Sequence, residues 1–327
     1  MEDIHDNGSG SRDVRRYLET LDSSQLYMEV MNPWDRGDIV VNPENRAFIE
    51  GELNAREMRD LKTLKALRGM VLCDQKNKTK IQTFKNYHDF RETMVDMLQK
   101  RHSLDLDFGK YREMLQEEDI RMKREKLPNL SREDQNIVFC QPASGMLVFT
   151  GIKQKKRALE KIGKKIVYAE KQIEEELKFP DEKTARDYIR GFARISDIAR
   201  MRVVLTDPGT RDIFMARIYK MLKRLGKGDL KPQKIPYSHY NAVIRSSLEE
   251  YSPQDPISLQ VMGLYGFFED LFGESCHPIY EARFKNKMYI PGGEGKVYVF
   301  SKDEQRRYET WIQRALDYLM GMSTSTA

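Results

Sequence analysis

Cysteine is scarce in this chain, and long apolar runs are missing from it. Only three of the 327 residues are cysteine, and Cys73, Cys140 and Cys276 form no C-x-x-C pair or Cys/His metal spacing. We therefore expect neither a disulfide framework nor a structural zinc site, and we expect a reducing compartment. No apolar stretch approaches the roughly 18 residues of a membrane-spanning helix, so we expect no membrane partner.

The N-terminus also lacks the apolar core of a secretory signal peptide. Residues 1–24 are polar and include a run of Asn, Gly and Ser at 7–11. This composition predicts a disordered lead-in. We expect a cytoplasmic protein, and secretion without a leader stays open.

The chain does have enough apolar residues for a core. Hydrophobic residues make up 39% and aromatic residues 10% of the 327 positions, which suits one large or two modest domains. Charged residues make up 33%, yet the net charge is only +5, from 56 basic and 51 acidic residues. This slight excess of basic residues favours the binding of polyanions only weakly. Local clusters of charge are therefore more informative than the net charge.

Residues 25–130 predict a mostly helical N-terminal module. Asn54 can cap a helix whose apolar stripe includes Met58 and Leu64. The spacing of apolar residues predicts two more helices, at 84–102 and 108–126.

Residues 131–327 predict an α+β domain that ends in a helix. Apolar runs at 137–139 and 146–149 predict two strands, and a long helix is expected to follow them. A second helix is expected to begin near Asp181 and to end before Gly191. The predicted fold is α+β, with a mixed β-sheet flanked by helices.

The C-terminal part of this domain predicts a hairpin and a last helix. Short strands at 288–290 and 297–300 flank a glycine-rich turn, which lacks the spacing of a phosphate-binding loop. Ser301 and Glu304 have the spacing of a capping box at the start of the last helix.

One stretch, residues 194–207, organises the second domain. Ser196 can cap a short helical turn, and an apolar, β-branched run follows from Val203 to Leu205. A run that is apolar on both faces suits a central strand covered by helices. Asp197 would enter that strand either as a functional carboxylate at a cleft or as part of an ordinary helix cap.

The same stretch resembles the D-I-A-G-I-R-V element of the RelA/SpoT-type nucleotide pyrophosphokinases, the (p)ppGpp synthetases. The matching segment begins at Asp197 and ends at Val203, and Arg200 stands where the family usually has Gly. The resemblance implies that Asp197 is a catalytic residue and a ligand of Mg²⁺.

Four basic residues follow the second predicted strand: Lys153, Lys156, Arg157 and Lys161. Such charges stabilise triphosphate oxygens in nucleotide enzymes, although a charged run is more often a solvated helix face. They resemble the family's element R-x-K-x-x-x-S-x-x-x-K, in which two lysines lie eight residues apart. Lys153 and Lys161 have that spacing, which on one helix puts them two turns apart, while Gly151 and Arg157 replace the Arg and the Ser. The resemblance implies that Lys153 and Lys161 bind the donor nucleotide, and the cluster of charge predicts the same role for Lys156 and Arg157.

A basic loop with Lys231 and Lys234 leads to Tyr237. This segment resembles the family's G-loop, K-x-N-G-Y-R-S-x-H, in which a tyrosine stacks on the acceptor guanine. Tyr237 falls on that tyrosine and Asn241 on the His, while Pro236 replaces the Gly. A tyrosine at the edge of a strand would give the same local pattern. The resemblance implies an acceptor site at Tyr237 and Asn241, and the basic loop adds Lys231 and Lys234 to it.

Residues 257–261 predict a strand that resembles the family's E-V-Q-I. Gln260 matches the Gln, whereas Ser258 replaces the Glu, a metal ligand and possible base in the family. Further on, His277 and Tyr280 resemble the family's E-H-x-x-Y-K. The resemblance implies a catalytic role for Gln260 and a place for His277 in the acceptor site.

The four motifs occur in the family's order between residues 146 and 285. The resemblance implies a nucleotidyltransferase-like fold and an ATP-dependent pyrophosphokinase. Such an enzyme transfers pyrophosphate from ATP to a hydroxyl of a nucleotide or an RNA end, with Mg²⁺ as its cofactor. Catalysis would consist mostly of positioning and charge neutralisation.

Two other interpretations stay open. The first is a catalytically inactive synthetase fold that acts as a sensor or interaction module. The replacement of the family Glu by Ser258 favours it, since Mg²⁺ chemistry on a triphosphate usually employs two carboxylates. The second is an RNA-binding protein that uses the same basic face.

Overall fold

The structure, a computed structural model, describes the chain in segments. The described residues are 9–34, 43–72, 80–84, 137–141, 146–205, 229–231, 240–244, 257–263, 267, 284–290 and 296–320. They form six helices and nine strands, so the chain is α+β, as predicted. Within these segments, no helix is long and apolar enough to cross a membrane.

The chain divides into two compact units that are interleaved in the sequence. The first comprises residues 1–59, 155–195 and 288–327, and the second comprises residues 60–154 and 196–287. This division differs from the predicted one, which placed a single boundary at residue 130. The prediction assumed domains that are continuous in sequence, whereas the chain passes between the two units four times.

The first unit begins with two helices, α1 (Ser9–Thr20) and α2 (Ser23–Met31). Leu18 on α1 and Leu26 on α2 are completely buried. The disordered lead-in predicted for residues 1–24 is therefore wrong from residue 9 onward. The segment is polar on average, but a helix can be held in place by a few apolar side chains on one face. Leu18 is such a side chain in this segment.

Both ends of α2 are capped, the first by side chains and the second by a backbone N–H. At its start, the Asp22 carboxylate accepts from the Gln25 backbone N–H at 2.8 Å, and the Gln25 side chain accepts from the Asp22 N–H at 3.0 Å. This capping box satisfies two backbone donors that the helix leaves unpaired. At its end, Asn32 adopts the left-handed conformation with φ 44°.

The third helix, α3 (Pro43–Leu72), begins well before the predicted start at Asn54. Pro43 occupies its first position, where the missing N–H of proline costs no helical hydrogen bond. Leu64 is buried as predicted, but Met58 is 67% exposed, so the predicted apolar stripe is wrong at Met58.

Helix α3 contributes residues to both units. Helices α4 (Lys155–Glu175), α5 (Glu182–Ala193) and α6 (Lys302–Met320) belong to the first unit. Helices α2, α4 and α6 pack against one another, and α5 packs on α4. The predicted end of α5 before Gly191 is wrong, because the helix continues to Ala193. A glycine inside a helix costs only about 1 kcal/mol relative to alanine, which packing readily outweighs.

A buried carboxylate links three helices of this unit. Glu29 on α2 is 6% exposed, and its Oε1 accepts from Arg190 Nη2 of α5 at 2.6 Å and from the Tyr17 hydroxyl of α1 at 2.8 Å. Arg194 forms a second ion pair, with Asp22. A buried charge is tolerated only when it is paired and hydrogen-bonded, so these contacts fix α1 and α5 against α2.

The second unit contains one seven-stranded sheet. Its strands are β1 (Lys80–Phe84), β2 (Ile137–Gln141), β3 (Met146–Ile152), β4 (Ala199–Leu205), β5 (Asp229–Lys231), β6 (Tyr240–Ile244) and β7 (Ile257–Gly263). Their spatial order is β1-β2-β3-β4-β7-β6-β5. Among these strands, β4 and β7 are parallel and the other neighbours are antiparallel. The sheet is therefore mixed, and β4 is its central strand, as predicted.

Strand β4 is longer than the sequence predicted. It begins at Ala199 rather than Val203, and residues 194–198 form no helix, so the predicted helical turn capped by Ser196 is wrong. Every residue of β4 pairs with β3, beginning with Ile152 opposite Ala199. These cross-strand hydrogen bonds satisfy backbone groups that a helical turn would have paired locally.

Other strand predictions have mixed outcomes. The strands predicted from the apolar runs in the second domain are confirmed as β2, β3 and β7. Phe84, predicted to begin a helix, is instead the last residue of β1. The rest of the helix predicted at 84–102 and the one predicted at 108–126 lie outside the described residues.

The predicted C-terminal hairpin is present. Strands β8 (Lys287–Tyr289) and β9 (Val297–Val299) form a two-stranded sheet. The predicted capping box of α6 is confirmed: Ser301 N donates to Glu304 Oε2 at 2.7 Å, and Glu304 N donates to Ser301 Oγ at 3.2 Å.

Helices α2, α4 and α6 approach closely at Gly163 of α4. A Cβ atom at this position would lie 3.0 Å from Met31 Cε and 3.2 Å from Tyr308 Cβ. Tyr308 is 3% exposed, and burial raises the pKa of its phenol to about 12. The Met31 methyl can move, whereas the Tyr308 Cβ is fixed to its helix backbone.

We predict that Gly163→Ala destabilises the protein by about 1–3 kcal/mol, because the added methyl overpacks this contact. Gly51→Ala is the matched control: Gly51 lies within α3 and has no atom within 4 Å of the Cβ position. That change should stabilise by up to about 1 kcal/mol through helix propensity. Urea unfolding of both variants measures the difference, and equal effects would contradict the close packing at Gly163.

Candidate functional site

One face of the two central strands, β4 and β7, is apolar and closed to solvent. Successive strand residues point to opposite faces, so every second residue of β4 and of β7 belongs to this face. These residues are at most 1% exposed: Ala199, Met201 and Val203 on β4, and Ile257, Leu259 and Val261 on β7.

The opposite face carries polar residues at its centre. Arg200 and Arg202 on β4, with Ser258 and Gln260 on β7, are half-buried, and we call these four residues the polar face. The register puts Arg200 beside Ser258 and Arg202 beside Gln260. Arg202 Nε donates to Gln260 Oε1 at 3.0 Å, which orients both side chains on neighbouring strands.

Apolar residues border the polar face on one side. Val204 and Met262 come next toward the C-terminal ends of β4 and β7, and both are buried. Phe149 on β3, opposite Arg202, stacks on Phe267 with ring centroids 5.2 Å apart. The polar residues therefore occupy the N-terminal half of both central strands.

Two more predicted site residues lie in register with the polar face. Asn241 on β6 is the cross-strand partner of Gln260, and Lys231 on β5 is the partner of Asn241. Together with Arg202 these positions form one row across β4, β7, β6 and β5. Residues from three separate sequence motifs are thus neighbours in the sheet.

A lysine and a carboxylate meet where β3 ends and β4 begins. Lys153 Nζ lies 3.0 Å from Asp197 Oδ2, and the two side chains are 14% and 26% exposed. The Lys153 backbone N–H donates to Ile198 O at 2.7 Å, which continues the β3–β4 pairing by one residue. The predicted donor-binding lysine and the predicted metal ligand are therefore ion-paired with each other.

The other three predicted donor residues lie on α4, in the first unit. Lys153 precedes α4, so the prediction that Lys153 and Lys161 lie two turns apart on one helix is wrong. Lys156 and Lys161 are exposed, and Arg157 Nη1 lies 2.9 Å from Glu160 Oε2. For Lys156, Arg157 and Lys161, donor binding stays a prediction.

The predicted acceptor site is described only in part. Lys234, Tyr237 and His277 lie outside the described residues. Lys231 and Asn241 are described as strand positions, in the cross-strand row given above.

Asp197 offers one carboxylate to the Mg²⁺ ion that the resemblance implies. Protein sites usually hold Mg²⁺ with one or two carboxylates together with substrate phosphates and water, and Asp197 fits a site of that kind. Ser258, in place of the family Glu, adds no charge. Across the described segments, no three His, Cys, Asp or Glu side chains cluster so as to hold a metal by themselves.

Sequence reasoning did not select Arg200 or Arg202 as site residues. The two arginines alternate with apolar residues, and this period of two is a strand signal that could have identified them. Assigning Ser196 and its neighbours to a helical turn concealed that alternation.

Comparisons of the chain with models of known protein families, with curated proteins and with solved structures found no match.

We predict a measurable coupling between Lys153 and Asp197. In a double-mutant cycle of Lys153→Met and Asp197→Asn, the coupling energy of the pair in the free energy of unfolding should be about 1 kcal/mol. This is the upper end of the range for partly exposed ion pairs. The control cycle uses Arg306 and Asp303 on α6, whose side chains are 79% and 95% exposed and 3.8 Å apart. That cycle should show no measurable coupling. Urea unfolding at low salt provides the data, and additive effects at Lys153 and Asp197 would contradict the ion pair.

Proposed function

We propose that this chain is a divergent nucleotide pyrophosphokinase of the RelA/SpoT type, with a nucleotidyltransferase-like sheet. The observation that supports this proposal is the row formed by Arg202, Gln260, Asn241 and Lys231. Arg202, Gln260 and Asn241 fall on three motifs that resemble the family and are well separated in the sequence. Lys231 lies in the basic loop just before the third motif, and the four residues occupy neighbouring positions on four strands. Motifs that match a family only by chance would have no reason to lie side by side in the sheet.

The chemistry of the proposal is the transfer of pyrophosphate. An acceptor hydroxyl oxygen forms a bond to the β-phosphorus of ATP. The bond between that phosphorus and the oxygen it shares with the α-phosphate breaks, and AMP leaves with this oxygen. The hydroxyl proton passes to water. The protein has little covalent chemistry to perform, so catalysis depends on alignment and on stabilising phosphate charge.

Each described residue has a defined part in this proposal. Lys153 and Arg202 neutralise charge on the donor phosphates. Gln260, oriented by its hydrogen bond from Arg202, positions the reacting groups. Bound at Asp197, Mg²⁺ would neutralise further charge on the transferred group. Asn241 and Lys231 extend the row across β6 and β5 and contribute to binding the acceptor. Lys234, Tyr237 and His277 keep the acceptor role that the sequence predicts.

A second candidate function is a nucleotide-binding module without catalysis. The observation that favours it is the ion pair between Lys153 and Asp197, together with Ser258 at the position of the family Glu. The described part of the site then has one carboxylate, and that carboxylate is already engaged by a lysine. Such a protein would bind nucleotide and report its presence to a partner.

Transfer from labelled ATP distinguishes the two functions. We predict that the full chain, with Mg²⁺ and ATP labelled in its β- and γ-phosphates, moves the label to a guanosine nucleotide or to an RNA end. Asp197→Asn should keep the melting temperature close to wild type and lower transfer by about 10²-fold or more. Chromatographic separation of the products identifies the acceptor.

The outcomes of that assay are separable. Nucleotide binding without transfer to any acceptor would support the module over the enzyme. Full transfer by Asp197→Asn would contradict the role of this carboxylate. Binding of RNA alone, with a steep loss of affinity as salt is raised, would favour the RNA-binding interpretation.

Charge reversal tests the donor site. Lys153→Glu should weaken ATP binding by at least about tenfold, because it removes one favourable charge and adds a repulsive one next to Asp197. Arg306→Glu, at an exposed position of α6, is the control for the change in net charge and should have little effect. Lys161→Glu measures independently whether the α4 lysines contribute. Isothermal titration gives the three affinities, and equal losses at Lys153 and Arg306 would leave only a non-specific effect of charge.

A further inference from the structure

The side-chain amide of Gln260 has a fixed orientation on the polar face. Arg202 Nε donates to Gln260 Oε1 at 3.0 Å, and the two residues are direct cross-strand partners on β4 and β7. An arginine side chain carries donors and no acceptor, so it is the oxygen of the amide that faces Arg202. The two N–H donors on Gln260 Nε2 are therefore directed away from this hydrogen bond.

These two donors are available to a ligand. Gln260 is half-buried, and within the described segments its Nε2 has no hydrogen-bond partner. The neighbours Leu259 and Val261 are buried on the closed face, so the Gln260 amide belongs to the opposite, polar face. A hydrogen bond from a guanidinium to Oε1 also polarises the amide, which strengthens its N–H groups as donors.

The same hydrogen bond makes Gln260 unsuited to binding a metal ion. An amide side chain binds a divalent cation through its oxygen. Arg202 Nε lies 3.0 Å from that oxygen, so a cation at Oε1 would be repelled by the charge of the guanidinium. The polarised oxygen is for the same reason a poor acceptor for a proton from a reacting group. Gln260 is therefore suited to recognise a ligand by donation.

We infer that Gln260 is a specificity-determining residue that donates hydrogen bonds to a phosphate oxygen of the ligand, and that Arg202 orients its amide for this purpose. The inference rests on the proposed function, in which Gln260 positions the reacting groups, and it names the group that Gln260 holds. An ionised phosphate oxygen only accepts hydrogen bonds, so it matches the two Nε2 donors. Gln260 is then neither a ligand of Mg²⁺ nor a general base.

Gln260→Met removes the donors at constant size and charge. Inorganic tripolyphosphate is the probe, because it offers acceptor oxygens without a base or a sugar. Isothermal titration of the full chain in EDTA should show an affinity weaker than wild type by about 10- to 100-fold, the range expected for losing a hydrogen bond to a charged acceptor. Thermal melting identifies any loss of folding in this variant.

Gln260→Glu separates donation to phosphate from binding of metal. The new carboxylate can still accept the hydrogen bond from Arg202, so the variant should fold, but it has no N–H to donate. Its affinity for tripolyphosphate should be at least about tenfold below wild type in EDTA and should stay below wild type with Mg²⁺. If Gln260 were a metal ligand, the carboxylate would instead raise the affinity for the Mg²⁺ complex above wild type. Gln313→Glu, at an exposed position of α6, controls for the change in net charge and should bind like wild type.

A double-mutant cycle tests the orienting role of Arg202. Without Arg202 the amide of Gln260 can turn, so its donors are no longer fixed on the ligand. Gln260→Met should therefore cost at least about threefold less tripolyphosphate affinity in the Arg202→Met background than in wild type. Two residues that contacted the ligand independently would give the same loss in both backgrounds, and that result would contradict the role of Arg202.

Failure of the inference and failure of the proposed function give different results. If a folded Gln260→Met variant binds tripolyphosphate as tightly as wild type, or if Gln260→Glu exceeds wild type with Mg²⁺, the inference is wrong and the proposed function stands. The Gln260→Glu titrations carry the test by themselves if Gln260→Met does not fold. If the affinities follow the expected order but labelled ATP gives no transfer, the inference stands and the enzyme assignment is wrong. If wild type binds neither tripolyphosphate nor ATP, both are wrong.

Discussion

The sheet depends on one strand, β4, that pairs along its whole length with β3 on one side and β7 on the other. All seven of its residues have partners on both neighbours. A shift of one residue would turn Arg200 and Arg202 toward the closed face and expose Met201 and Val203. Burying two unpaired guanidinium groups would cost far more than a shifted hydrogen-bond ladder could recover. The register that closes the core is thus the register that forms the polar face.

Charge has a different role in each of the two units. In the first unit, Glu29 is almost fully buried and bound by Arg190 and Tyr17, so its charge holds helices together. In the second unit, the pair of Lys153 and Asp197 retains contact with solvent. A partly exposed pair is stabilised only modestly and can exchange partners. The first pair is therefore structural, whereas the second stays partly accessible to solvent.

The sequence selects the candidate site as a set of motifs and does not predict how they meet. Gln260 was selected from one segment and Asn241 and Lys231 from another, and their neighbouring positions follow from strand order β4-β7-β6-β5, which no local pattern encodes. The spacing of Lys153 and Lys161 suggested one helix, but Lys153 continues the β3–β4 pairing instead. The sequence does not single out Arg200 and Arg202, because the weak helical periodicity around Ser196 predicts a helical turn. Only the pairing of β4 with β3 shows that these residues belong to a strand.

By itself, the sequence determined the α+β class, the central strand, the C-terminal hairpin and the capping box of α6. Each of these depends on local composition or on contacts between residues close in the chain. Only the tertiary structure decided the interleaved units, the burial of Leu18 in a polar segment, the full length of β4 and the row of polar positions across four strands. These features depend on contacts between residues far apart in sequence, and such contacts override local propensity because they bury more surface and satisfy more backbone groups.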